Sequence, residues 1–210
     1  MPQAEEILGK VERYYTRKFS EHGPAARGVD WNSAESQELR FVQLLRCVAS
    51  ATEPYSIIDF GCGYGALADY LTRRGDRVSY LGVDLSVPML DYARRRFRGQ
   101  PRVKFSDMSS DLPPADYVVA SGIFNLKFDY DDAAWTAYVI QTIQTISALG
   151  TRGFAFNMLT KYSDADRMRA DLYYADPSLY FDLCKRRFSR NVALLHDYDL
   201  YEFTLLVKKT

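Results

Sequence analysis

Ser56-Ile57-Ile58-Asp59-Phe60-Gly61-Cys62-Gly63-Tyr64-Gly65-Ala66 decides the fold. Apolar residues lead into an acid and then into glycines at alternate positions. Tyr64, Leu67, Ala68 and Leu71 follow at helical spacing. The pattern predicts a buried strand, a tight turn and a helix. Glycine in such a turn lets the backbone approach a bound molecule closely, because no Cβ stands in the way. Strand-turn-helix junctions of this kind hold nucleotide-type ligands.

Outward from this stretch, short apolar runs alternate with helical patterns. Strands are predicted at 56–60, 78–83, 102–106, 116–120 and 153–158, and helices at 64–74, 87–97 and 131–148. Such alternation predicts an α/β fold: a doubly wound, mostly parallel sheet with helices on both faces. After a further helix near 176–188 come two strand-like runs, Val192–His196 and Tyr201–Val207. Only Asp197-Tyr198-Asp199-Leu200 separates them, too little for a crossover helix, so these two should be antiparallel. The expected sheet is therefore seven-stranded, with one of its last two strands reversed.

Upstream, residues 4–19 place Ile7, Leu8, Val11, Tyr14, Tyr15 and Phe19 at helical spacing. A Gly- and Pro-bearing segment breaks this helix, and Asn32 with Glu35 resembles an N-cap pair. Phe41, Leu44, Leu45 and Val48 would then form the face of a second helix. The reading is one domain over 1–210, with 1–52 a helical cap or lid and 53–210 the ligand-binding core.

At 210 residues the chain can bury a sizeable core. Lys plus Arg equal Asp plus Glu at 27 each, so no overall field draws in nucleic acid or an anionic membrane. Local basic clusters at Arg94-Arg95-Arg96 and Lys185-Arg186-Arg187 read as solvated helix faces. Three cysteines, Cys47, Cys62 and Cys184, show no metal-ligand spacing and suggest a reducing compartment. No apolar run approaches a membrane span, and Met-Pro-Gln-Ala-Glu-Glu does not read as a signal peptide. A cytoplasmic location is expected.

The acids following the strands narrow the ligand. Asp59 precedes the first glycine; its carboxylate would crowd a pyrophosphate but would pair with an ammonium group. Asp84 ends the second strand, where a carboxylate accepts hydrogen bonds from ribose hydroxyls. The third strand runs into Asp107-Met108, a polar group for an adenine edge and a thioether for its face. The glycines alone also fit a dinucleotide fingerprint, and a nicotinamide-dependent oxidoreductase is the first alternative. A non-catalytic binding module on the same fold is the second.

Asp59-x-Gly61-x-Gly63-x-Gly65, then Gly82-Val83-Asp84-Leu85-Ser86, then Asp107-Met108 resemble the successive motifs of the class I S-adenosylmethionine-dependent methyltransferases. Tyr201–Val207 resembles that family's reversed final strand, so the likeness covers about residues 55–207. The resemblance implies that Gly61, Cys62, Gly63 and Gly65 carry the methionine part of the cofactor. It puts Asp84 with Leu85 and Ser86 at the ribose, and Asp107 with Met108 at the adenine. The loop after the fourth strand, with Ser121 and Gly122, would lie beside the sulfonium and present Phe124 and Asn125 to the acceptor. Nucleobase-amine methyltransferases resembling this fold carry Asn- or Asp-Pro-Pro-Tyr/Phe in that loop. Here Ser121-Gly122-Ile123-Phe124-Asn125 stands instead, which favours a small-molecule acceptor over DNA or RNA. No acidic cluster surrounds the fourth strand, so no metal is expected.

Further candidates are less specific. Tyr14 and Tyr15 share a helical side with Lys18, and in related enzymes an N-terminal helix often closes over the cofactor and touches its carboxylate. Trp31 could anchor the cap or belong to the lid. Tyr162, Tyr173 and Tyr174 lie in the long segment after the fifth strand, where substrates bind in such sheets. His22 and His196 are the only side chains whose unperturbed pKa lies near neutrality, and stand as candidate bases. Methyl transfer by proximity and alignment needs neither.

Overall fold

A computed structural model describes residues 2–49, 53–109 and 111–209. Residues 50–52, where the cap was set off from the core, lie outside the described residues. Seven strands form one sheet: β1 (Tyr55–Phe60), β2 (Val78–Asp84), β3 (Val103–Asp107), β4 (Ala115–Ala120), β5 (Gly150–Leu159), β6 (Asn191–Leu195) and β7 (Glu202–Lys208). Their order is β3-β2-β1-β4-β5-β7-β6. The first five are parallel, while β7 runs antiparallel to β5 and to β6. The reversed β7 lies inside the sheet and leaves β6 at the edge. That is why β7 is buried nearly throughout, whereas β6 is mostly exposed.

The helices are α1 (Pro2–His22), α2 (Ala34–Leu44), α3 (Ala66–Arg74), α4 (Val87–Arg96), α5 (Asp132–Leu149) and α6 (Pro177–Arg187). Local signals set their ends. Gly65 precedes α3 at φ 88 and Gly75 closes it at φ 79, both in the left-handed region that favours glycine. Asp131 and Asp176 accept the amides of Ala134 and Ser178 at the starts of α5 and α6. The cap of α2 is Ser33, which accepts the Ser36 amide, and not Asn32. The helix also stops at Leu44, so Val48 falls beyond it, after a 3₁₀ turn over Leu45–Cys47.

Two apolar layers flank the sheet. Phe41, Leu44, Leu67, Leu71 and Phe97 cover one face with Ile57, Tyr80 and Val119. On the other, Trp135, Val139, Ile143, Ile146, Tyr180 and Cys184 pack on Ile58, Val118, Phe154 and Phe156. Among the described residues the link from β3 to β4 carries no helix, and α1 contributes Ile7 and Val11 to this second face. Lys10 pairs with Asp129 at 3.0 Å, and Thr16 bonds Ser86 at 2.8 Å, which holds α1 across the ends of β2 and β4. Among the described residues, no helix is long and apolar enough to cross a membrane.

Ile7 is 1% exposed and is the deepest anchor of α1. Truncation to alanine removes three carbons from a packed site. Ile7→Ala should cost about 2–4 kcal/mol in urea unfolding followed by circular dichroism; a loss below about 0.5 kcal/mol would show that α1 does not depend on this layer.

Candidate functional site

The carboxyl ends of β1, β2, β3 and β4 meet at a cavity of about 280 Å³. Asp59, Gly61, Cys62, Gly63, Asp84, Leu85, Met108, Ser121 and Gly122 border it, so the motif residues of four strand ends come together in space. In a doubly wound sheet this is the switch point, where connections from adjacent strands leave toward opposite faces. The remaining walls come from α1 (Leu8, Val11, Glu12, Tyr15), from α2 (Gln37, Phe41), from Trp31, and from α5 (Tyr138, Thr142). The N-terminal helices thus do face the site. Sequence reading missed the contributions of Gln37 and α5, because an amphipathic pattern marks only the buried side of a helix and not what lies against it.

Asp59 is 3% exposed and accepts a hydrogen bond from the Tyr80 hydroxyl at 2.7 Å. Burial pushes its carboxyl up to about 7, the Tyr80 bond opposes that rise, and the charge of Asp84 adds to it. Asp84 stands differently. Its Oδ2 accepts the Gly63 amide at 2.7 Å and its Oδ1 the Ser86 amide at 2.8 Å. Burial raises its carboxyl, and these backbone donors hold the rise back. Asp84 therefore clamps the glycine turn and the start of α4 while still bordering the cavity. The Cys62 thiol is raised well above its usual range by burial, so it is an inert packing group.

The Ser121 hydroxyl is, among the described residues, a buried side-chain oxygen without a hydrogen-bond partner, and it borders the cavity. An unpaired buried hydroxyl costs free energy unless a ligand or water satisfies it. A carboxylate short of donors, an unpaired hydroxyl and a thioether edge suit a ligand with a cationic group, hydroxyls and an aromatic ring.

The cap closes on the glycines. A Cβ added at Gly122, where φ is 71, would lie 2.3 Å from the Trp31 ring. Trp31 in turn lies under the Arg40 guanidinium, 3.8 Å from the ring centroid. Tyr64 reaches back from the glycine turn to Gln37 of α2 at 3.0 Å.

Other expected residues fall elsewhere. Tyr14 donates its hydroxyl to Asp30, and Lys18 pairs with Asp30 at 3.0 Å. Together they pin the segment that carries Val29 and Trp31, and neither borders the cavity. Gly65 caps α3, and Ser86 is fully buried against Thr16, also away from the cavity wall. Asp107 accepts the Ser109 amide at 3.0 Å in a turn and is not among the wall residues.

The substrate candidates separate most clearly from the cavity. Phe124 is fully buried, and its carbonyl accepts the Trp135 indole N–H at 2.9 Å. Asn125 accepts the Leu159 amide at 3.1 Å and knits the β4 and β5 ends. Tyr173 is buried in a hydroxyl chain with Thr136 and Tyr180. The Tyr174 hydroxyl accepts the Arg169 amide at 3.0 Å. Tyr162 is 62% exposed beside His196, with ring centroids 6.0 Å apart. His22 ends α1 at the surface, and His196 follows β6, also exposed. None of these residues borders the cavity. A tyrosine-rich loop looks the same in sequence whether its rings line a pocket or pack on one another.

Residues 57–144 match the family model described as a methyltransferase domain. The chain is 52% identical over 162 residues to the protein named "Putative methyltransferase Rv1506c" from Mycobacterium tuberculosis, a match spanning 77% of this chain and 98% of that one. Among solved structures it is similar to the magnesium protoporphyrin IX methyltransferase ChlM from Synechocystis PCC 6803 with bound S-adenosylmethionine. There the TM-score is 0.58 at 17% identity, covering 84% of this chain and 80% of that one. It is also similar to the DhpI-SAM-HEP complex, with a TM-score of 0.61 at 14% identity and 95% and 96% coverage. The family model and the 52% identity to that relative show a methyltransferase. The chain belongs to the class I S-adenosylmethionine-dependent methyltransferases.

The raised carboxyl of Asp59 makes a signed prediction. A folded-state pKa of about 7, against 3.8 for an ordinary aspartate, gives stability that is full below pH 3.8 and lost as pH rises through 7. Asp59→Asn carries no such loss. It should leave the ligand-free protein more stable than wild type at pH 8, by about 2–4 kcal/mol, with a smaller gain at pH 5. Urea melts at the two pH values check this, and an equal gain at both would contradict the assignment.

Proposed function

We propose that this enzyme transfers the methyl group of S-adenosylmethionine to an oxygen or nitrogen of a small-molecule acceptor. The observation that carries the reading is Asp59, a buried carboxylate short of donors, facing a cavity shared with Asp84, Met108 and Ser121. When bound, the cofactor supplies a methyl group already activated by positive sulfur. Asp59 would hold its ammonium group, Asp84 and Leu85 its ribose, and Met108 its adenine face. Asp107 is proposed for the adenine amino group on the family resemblance alone. Gly61, Cys62, Gly63, Ser121 and Gly122 would line the methionine part.

Zero net charge and the absence of Asn- or Asp-Pro-Pro-Tyr/Phe at 121–125 support a small molecule over a nucleic acid. The sharing of one apolar layer by α1, α5 and the sheet supports a single domain. Three free, buried cysteines support a cytoplasmic location. With His22 and His196 away from the cavity, alignment of acceptor and methyl group is the chief contribution we assign to the protein.

Isothermal titration with S-adenosylmethionine, S-adenosylhomocysteine and NAD tests the reading. The first two should bind and NAD should not; binding of NAD alone would overturn it. Because an ammonium group pairs with ionised Asp59, affinity for S-adenosylhomocysteine should fall about tenfold from pH 8 to pH 6. Asp59→Asn should abolish that dependence and weaken binding at pH 8. Once an acceptor is found, His22→Ala and His196→Ala should each keep kcat within about tenfold. A loss beyond about a hundredfold in either, with cofactor affinity intact, would restore a general base.

A further inference from the structure

Arg40 and Glu202 form a buried ion pair, 7% and 1% exposed, between α2 and the first residue of β7. Arg40 Nε lies 3.0 Å from both carboxylate oxygens, and its Nη1 donates to the Ser36 carbonyl at 2.7 Å. Glu202 Oε2 also accepts from Asn157 Nδ2, and Asn157 Oδ1 accepts the Gly122 amide at 2.7 Å. Asn157 is fully buried in β5. The backbone amide of Gly122 can only donate, which fixes the oxygen of Asn157 toward it and leaves the amide nitrogen for Glu202.

The same guanidinium that grips Glu202 lies over Trp31, its Cζ 3.8 Å from the ring centroid, and the Trp31 ring occupies the place a Cβ on Gly122 would take. One continuous line of contacts thus leaves Gly122 by its amide, runs through Asn157, Glu202 and Arg40, and returns to it through the indole. Its two ends, Trp31 and Gly122, both border the cavity, while its middle residues do not.

Stability alone is a weak reason for such an arrangement, because a well-packed apolar set often serves as well as a buried ion pair. Geometry is what an apolar set would not reproduce. A planar guanidinium presents its fork edge to a carboxylate and its face to an aromatic ring at the same time. Here the Nε edge is oriented by Glu202 of β7, and the guanidinium carbon lies within van der Waals reach of the Trp31 ring.

We propose that Arg40 is a positioning residue: through Glu202 and Asn157 on one side and Trp31 on the other, it sets the Gly122 loop and the cap ring that together wall the cofactor's place. Cofactor affinity is then coupled to the Arg40–Trp31 contact. This rests on the reading that the cavity takes S-adenosylmethionine.

The test is a double-variant cycle, with S-adenosylhomocysteine as the probe in calorimetry and tryptophan emission as a second readout. Arg40→Lys keeps a positive charge beside Glu202 but loses the planar face over Trp31. Trp31→Ala removes the ring and leaves the ion pair. Each should weaken binding about tenfold, and the double variant should weaken it little further, because both remove one contact. Arg40→Lys should also shift the emission of Trp31, while Trp135, the other tryptophan, keeps its indole bond to Phe124. A double variant weakened by the product of the two single effects overturns the proposal. So does an Arg40→Lys protein that binds within threefold of wild type with unchanged emission. If Arg40→Lys shows no cooperative unfolding transition, the charge-neutral pair Arg40→Met with Glu202→Gln takes its place in the cycle under the same criteria. A wild-type protein that fails to bind the probe overturns the cofactor reading itself, whereas wild-type binding without coupling overturns only the role of Arg40.

Discussion

A carboxylate withdrawn from water loses its hydration, and it stays ionised only where donors or a cation replace what was lost. Three carboxylates of this chain meet that constraint in three ways. Glu202, at 1% exposure, is satisfied completely by a guanidinium and an amide. Asp84 is satisfied by the backbone amides of Gly63 and Ser86, which it needs in order to hold the turn shut. Asp59 keeps the Tyr80 hydroxyl and faces open space, with its carboxyl pushed up to about 7. The first acid ties strands to cap, the second shapes the turn, and the third is left for a ligand.

The unmet requirement of Asp59 is useful because of where it lies. β1 sits at the switch point of the sheet, flanked by β2 and β4, so a group at its carboxyl end is bordered by two diverging connections. The cavity forms there because backbone turns leave in opposite directions. Its floor is then set by strand ends, and its remaining walls depend on whatever docks across them. Among the described residues the link from β3 to β4 has no helix, and α1 occupies the face beside α5. The N-terminal segment is therefore part of the fold's core and part of the cavity wall together.

Much of this was legible in the residues. Strand positions, the order of elements and the reversed late strand followed from apolar period and linker length, since a four-residue link admits only an antiparallel return. Errors were confined to ends: the α2 cap moved by one residue to Ser33, and β5 proved longer than its apolar centre. Asp59, Gly61, Gly63, Asp84, Met108, Ser121 and Gly122 share a cavity because each ends a strand or follows one, and a parallel sheet gathers such ends at one edge. The aromatic candidates were different. Tyr173, Tyr174 and Phe124 stand in loops at the same edge, yet the two hydroxyls are taken up by Thr136 and the Arg169 amide, and the Phe124 ring packs on Phe156. Side-chain direction in an irregular segment is set by neighbours that no local period reveals.

The sequence by itself determined the sheet, the glycine turn and the acids at the strand ends, because strand alternation and backbone permissiveness are local properties of the chain. Only the tertiary structure decided which of those acids is left without partners and which residues close over it. Arg40 meets Glu202 across 162 residues of sequence. Neither residue carries a local pattern that names the other, and the match exists only after β7 has entered the sheet between β5 and β6.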